Sequence, residues 1–187
     1  MGKRENPHQN VIPANPNPSP VPGTLKIIGV GGHGASNNPD EIIRTYALGS
    51  CVAVILFHAR TRSVGMVHVA LPDSSIDTTK KAETTPGYFA DTGIPALVTL
   101  MRSMKCLGPL PSGGLTAKIA GGANVMDTND TFMIGKRNIL AVKKILWGYG
   151  LAPLAEDVGG SISRTVSVSV KTGEVTLSSP ARGQWNL

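Results

Sequence analysis

The chain has 187 residues, 41% hydrophobic and 16% charged, a balance that excludes an intrinsically disordered chain and suffices for one domain with its own core. Its net charge is +6, but the basic residues are scattered singly or in pairs such as Lys80-Lys81, and aromatics are only 4%, so the clustered cations and stacking rings of a nucleic-acid groove are missing. No apolar run approaches the ~20 residues of a membrane helix, and no apolar segment follows Lys3-Arg4, so membrane insertion and export are not expected and the compartment expected is the cytoplasm.

Residues 1–23 hold six of the fourteen prolines and four asparagines. Such a stretch buries too little apolar surface to offset its ordering entropy, and it reads as a disordered tail ahead of a folded domain over 24–187. A strand is expected at 25–30. Gly31-Gly32-His33-Gly34 follows as a flexible loop, since it lacks the G-x-G-x-x-G or G-K-[ST] pattern of a phosphate cradle and leads into no helix. Residues 42–48 and the β-branched run 52–57 are strands on either side of Gly49-Ser50-Cys51. Residues 64–71 pair antiparallel with the second of these across a polar turn at 58–63. Residues 73–87 read as an exposed loop. Ile94, Leu97, Leu100 or Met101, and Met104 recur at helical spacing and predict a helix over 93–104 with Pro95 in its first turn. Residues 116–120 form a short strand. Ile139, Val142, Ile145 and Leu146 share one face of a second helix over 135–149. Alternation over 165–170, a turn at 171–174 and a return over 175–177 make a hairpin. Antiparallel pairs plus two helices give an α+β fold.

The cysteines are Cys51 and Cys106. Without C-x-x-C spacing or a cluster of metal-ligand type, neither a zinc site nor a nucleotide cofactor is indicated. A cytoplasmic disulfide between them is not expected. Cys51 stands directly after Gly49-Ser50, where a sharp turn would present its sulfur and nearby backbone N–H groups. His68 lies in the return strand among apolar neighbours and shares a face with Val64, Met66 and Ala70. If the two are cross-strand neighbours, the imidazole acts as base and stabilises the thiolate as an ion pair. Thr45 lies close enough in sequence to orient that base. Spacing alone equally suits a buried small hydrophobe at Cys51 and a core histidine at 68. His58 reads as a solvated turn residue, Cys106 as packing, and Asp157 as a turn-forming acid, with orienting a base or binding a partner as the alternatives.

These segments, taken in order, resemble one family. Thr45-Tyr-Ala-Leu-Gly-Ser-Cys51-Val-Ala-Val-Ile-Leu, Gly65-Met-Val-His68-Val-Ala-Leu-Pro72, Gly121-Gly122-Ala123, Ile134-Gly135-Lys136-Arg137-Asn138, and Asp157-Val-Gly159-Gly160 with Arg164 are similar to the CheD family of chemoreceptor glutamine deamidases. The resemblance implies a Cys–His–Thr catalytic set, here Cys51, His68 and Thr45, that hydrolyses glutamine side chains on the cytoplasmic domains of methyl-accepting chemotaxis receptors without cofactor or metal. It implies packed β-sheets flanked by helices, similar to the catalytic domain of cytotoxic necrotizing factor toxins. A chemotaxis phosphatase of the CheC type is a partner of some members. Val125-Met126, and Val168 and Val170 in the last hairpin, depart from the family pattern while staying apolar. The alternative expectation is a non-catalytic module that docks on a receptor or on the phosphatase.

Overall fold

The computed structural model describes residues 23–106, 113–125 and 133–187. The expected tail, apart from Gly23, and Met126 lie outside the described residues. Among these, ten strands form two five-stranded sheets. The first has the order β1-β3-β8-β9-β10, built from β1 Thr24–Ile27, β3 Glu41–Leu48, β8 Arg164–Ser169, β9 Val175–Ser179 and β10 Gly183–Asn186. The second has the order β2-β5-β4-β6-β7, built from β2 His33–Ser36, β5 Ser63–Val69, β4 Val52–His58, β6 Leu115–Gly121 and β7 Pro153–Val158. Both are mixed: β1–β3 and β6–β7 are parallel, and the other neighbours are antiparallel. The α+β expectation holds.

Sequence pattern follows burial. Strands β4 and β5 are buried along almost their whole length, because one face meets the other sheet and the opposite face meets helices. That is why they read as continuous apolar runs rather than alternating ones. Ala53, Ile55, Val64 and Met66 pack between the sheets against Ile43, Leu48, Val166, Val168 and Leu177. Val52, Val54, Leu56, Val67 and Val69 point the other way. They are covered by Ile94, Leu97 and Met101 of helix α2 (Ala90–Ser103) and by Val142 and Leu146 of helix α3 (Ile134–Gly148). Each such side chain contributes roughly 1.5–3 kcal/mol of burial. Strands β8 and β9 cover the core with one face only and alternate accordingly.

Several expectations are corrected. The glycine-rich segment is a loop only at its start: His33–Ser36 forms edge strand β2, in register with Val64–Val67 of β5. Residues 73–87 contain 3-10 turns at Ser74–Ile76 and Pro86–Tyr88 and the one-turn helix α1, Lys81–Thr84. Helix α2 begins three residues earlier than predicted, which places Pro95 inside the helix. Strands β7 and β10 have no counterpart in the sequence reading. Left open by the sequence, the sheet membership of residues 42–48 and 52–57 is resolved here: they belong to different sheets. Gly49-Ser50-Cys51 is where the chain crosses from one sheet to the other.

Candidate active site

The crossing is prepared by a bulge. Thr45 of β3 pairs with Val166 and Leu48 with Arg164, so that Tyr46 and Ala47 together stand opposite the single residue Thr165, one residue more than the ladder needs. Ala47 adopts φ 53°, a left-handed conformation that strains a residue with a Cβ. The bulge turns Tyr46 and Ala47 outward and both Thr45 and Leu48 inward. Bulges of this kind re-aim side chains beside functional sites.

Three successive carbonyls then anchor the crossing. Gly49 O accepts from Ala123 N at 2.7 Å, and Cys51 O accepts from Gly122 N at 2.7 Å. Between them, Ser50 O accepts from Asn138 Nδ2 at 2.9 Å. Gly121 is essential to this approach: its φ is 115°, and a Cβ there would run into the carbonyl oxygen of Cys51. Gly122 and Gly135 likewise let the start of α3 lie directly on the turn, a Cβ on Gly122 falling 2.5 Å from Ile139.

His68 sits opposite Ala53 in the β4–β5 ladder, and Val69 sits opposite Val52. Cys51 is one pleat beyond Ala53 on the same face, the diagonal neighbour of His68, and it packs against the inter-sheet core. Thr45 reaches His68 from the opposing sheet, with Oγ1 2.7 Å from Nδ1. Thr45 is 0% and His68 2% exposed, so this hydrogen bond crosses a dry interior. His68 Nε2 is buried and has no partner. With Nδ1 held by Thr45, Nε2 is the nitrogen left free to exchange a proton.

Burial dominates the electrostatics. It pushes His68 down from 6.5 to about 4. It pushes the Cys51 thiol up from its ordinary value, while the residue's own backbone N–H, directed at the sulfur, works in the opposite sense. Both groups are therefore uncharged at neutral pH. Desolvation disfavours both the thiolate and the imidazolium, the opposite sense to the ion pair expected from the sequence.

The rival residues are elsewhere. His58 is not solvated. It is 3% exposed, its Nδ1 is 2.7 Å from Thr61 Oγ1, and it lies at the far end of β4, seven residues or about 23 Å from Cys51. Cys106 is buried, 3.3 Å from Thr61 Oγ1. Asp157 is no turn residue: it stands in β7 and binds Arg164 Nε at 2.7 Å through Oδ1 and Trp185 Nε1 at 2.9 Å through Oδ2. It shares a cross-strand row with Ala120, Ala53 and His68. Three strand spacings, about 14 Å, separate it from His68, which is too far to orient the imidazole. It locks the two sheets together instead. Asn138, which the sequence showed only as the end of a family-like segment, is fully buried on α3. The signal available was a lone asparagine on the apolar face of an amphipathic helix.

Comparison with known proteins decides the family. The profile described as "CheD chemotactic sensory transduction" matches residues 70–179. A protein of Syntrophotalea carbinolica named "Probable chemoreceptor glutamine deamidase CheD" is 54% identical over 161 residues, covering 86% of this chain and 98% of its own. The chain belongs to the CheD family. Its similarity to the "Chemoreceptor glutamine deamidase CheD" of Thermotoga maritima is 40% identity over 159 residues, covering 85% and 94% of the two chains. The "Probable chemoreceptor glutamine deamidase CheD 1" of Syntrophus aciditrophicus is 40% identical over 153 residues, 82% of this chain and 92% of its own. The crossing and the opposing strand β3 bring a thiol, an imidazole and a hydroxyl together at the edge of the space between the sheets.

Proposed function

We propose that this protein is a chemoreceptor glutamine deamidase with Cys51 as nucleophile, His68 as general base and acid, and Thr45 as the residue that orients His68. The deamidase activity is supported by the names of relatives matched over most of their length. The assignment of roles rests on one observation above all: the 2.7 Å bond from Thr45 Oγ1 to His68 Nδ1 leaves Nε2 unpartnered on the face that Cys51 shares.

The chemistry runs from a neutral pair. As Cys51 Sγ bonds to the side-chain carbonyl carbon of a substrate glutamine, its proton passes to His68 Nε2. The developing imidazolium keeps its Nδ1–H on Thr45 Oγ1. Backbone N–H groups at the crossing, around Ser50 and Cys51, receive the oxyanion. Its collapse breaks the C–N bond, and the Nε2 proton leaves with ammonia. Water, deprotonated by His68, then cleaves the thioester, giving glutamate and the free thiol. With burial holding His68 at about 4, the imidazole is unprotonated at pH 7 and its Nε2 can accept a proton.

The substrates are glutamines on the cytoplasmic domains of chemoreceptors, and the protein acts in the cytoplasm. No helix among the described residues is long and apolar enough to cross a membrane. A CheC-type chemotaxis phosphatase is proposed as a second partner on the family resemblance alone. The test is mass spectrometry of a chemoreceptor cytoplasmic domain incubated with wild-type protein and with Cys51→Ala. Conversion of defined glutamines to glutamates by wild type alone is the expected outcome. Conversion by Cys51→Ala removes Cys51 as nucleophile, and no conversion by either protein removes the deamidase reading.

A further inference from the structure

Two strands part company at the candidate site. The β4–β5 ladder ends at Val52–Val69. Beyond it, Ala70 N turns away to Tyr88 O at 3.0 Å, and Cys51 O is taken by Gly122 N on the other side. The carbonyls of Ser50 and Ala70 are left on either side of the opening, one residue before the nucleophile and two residues after the base. A single side chain closes the gap. Asn138 Nδ2 donates to Ser50 O at 2.9 Å and to Ala70 O at 2.9 Å. Two carbonyl acceptors on one nitrogen fix the orientation of the amide, because the oxygen of a flipped amide would face two oxygens.

We propose that Asn138 is a positioning residue of the deamidase, its side-chain amide clasping the end of β4 to the end of β5 and so fixing Cys51 against His68. This inference rests on the Cys51–His68 reading above. Asn138 is 0% exposed and stands on a helix face otherwise occupied by Gly135, Val142 and Leu146, where an apolar residue would satisfy packing. Its Oδ1 is buried without a partner, a cost that an apolar residue would not carry. The two bonds at Nδ2 are what the position gains. The helix is seated for this purpose, with Gly135 lying directly on Gly122, which itself holds Cys51 O.

The experiment compares Asn138→Ala, Asn138→Ser and Val142→Ala using purified protein and a receptor cytoplasmic domain. Val142 is equally buried one turn further along α3 and touches neither carbonyl, so it reports helix loosening alone. For Asn138→Ala, kcat is expected to fall about 100-fold with KM little changed, the scale of a catalytic group displaced by about 1 Å. The acid limb of kcat/KM should also move up towards pH 6.5 as water enters the parted strands. Asn138→Ser, whose hydroxyl can serve one carbonyl, is expected to lie between, and it decides the matter by the same readouts should Asn138→Ala not fold. Val142→Ala should lose stability while keeping kcat and the pH profile. Wild-type kcat and pH profile in folded Asn138→Ala, or in Asn138→Ser if that is the variant that folds, overturns the proposal, as does an equal loss in Val142→Ala. Cys51→Ala is run alongside: turnover there overturns the reading on which the proposal rests, independently of what the Asn138 variants do.

Discussion

Replacing His68 with glutamine tests the electrostatics of the site without any assay of turnover. The imidazole is 2% exposed, and burial holds it at about 4 against an ordinary 6.5. The unfolded chain therefore takes up a proton at this residue as pH falls below 6.5, while the native state refuses it until about 4. Stability from this group is complete above pH 6.5 and is lost as pH falls through the native value. A depression of about 2.5 units at 1.36 kcal/mol each amounts to roughly 3 kcal/mol. Urea unfolding of wild type and His68→Gln, followed from pH 7 to pH 4, should show the wild type losing about 3 kcal/mol more than the variant over that range. The difference between the two curves cancels every carboxylate that titrates in both. Parallel curves would mean that His68 charges freely in the native state, and the neutral-base account of the site would fall with that result.

Other substitutions test the frame around the pair. Thr45→Val keeps the shape of the side chain but leaves Nδ1 of His68 unmatched in a dry interior. It should cost about 1–3 kcal/mol in urea unfolding and reduce kcat by tenfold or more in the receptor assay. Gly121→Ala drives a methyl group into the carbonyl of Cys51 and should lower stability by more than about 2 kcal/mol, read as a fall in Tm. Ala47→Gly relieves a left-handed alanine. Relief of about 1–2 kcal/mol set against about 0.5–1 kcal/mol of glycine entropy should leave a small net gain in stability. Asp157→Ala leaves Arg164, 5% exposed, without its carboxylate and should cost about 3–5 kcal/mol on chemical denaturation.

What the sequence disclosed follows from how each segment is buried. Strands β4 and β5 and the helix faces around Leu97 and Val142 were legible because burial on both faces of a strand, or along one stripe of a helix, writes a periodic apolar signal. The last hairpin was legible because its turn and its alternation coincide. β7 was not, since Glu156 is a surface acid and Asp157 reads as another until Arg164 is seen to pair with it. β10 carries almost no apolar pattern: its Trp185 is held by Asp157 as much as by packing. Sheet membership was the deeper omission. Nothing local says that residues 42–48 and 52–57 lie in different layers, so the sequence offered Thr45 only as a near neighbour of Cys51. Its contact with His68 exists because the layers face each other.

That placement explains why the site starts neutral. An imidazole and a hydroxyl drawn from opposing sheets can meet only in the space between them, and that space is the hydrophobic core around Ala53, Ile55, Met66 and Val166. Water is excluded there by the same packing that holds the sheets together, so the imidazole is desolvated by the fold itself. Cys51 escapes full burial because it sits in the crossing at the edge of the core, half-buried. The separation between sheets thus sets both the Thr45–His68 hydrogen bond and the low proton affinity of His68. A substitution that thins the inter-sheet core, such as Ile55→Ala, should therefore weaken stability by about 2–5 kcal/mol and raise the acid limb of turnover together, whereas Leu97→Ala on the helix side, with a similar loss of stability, should leave the pH profile where it is.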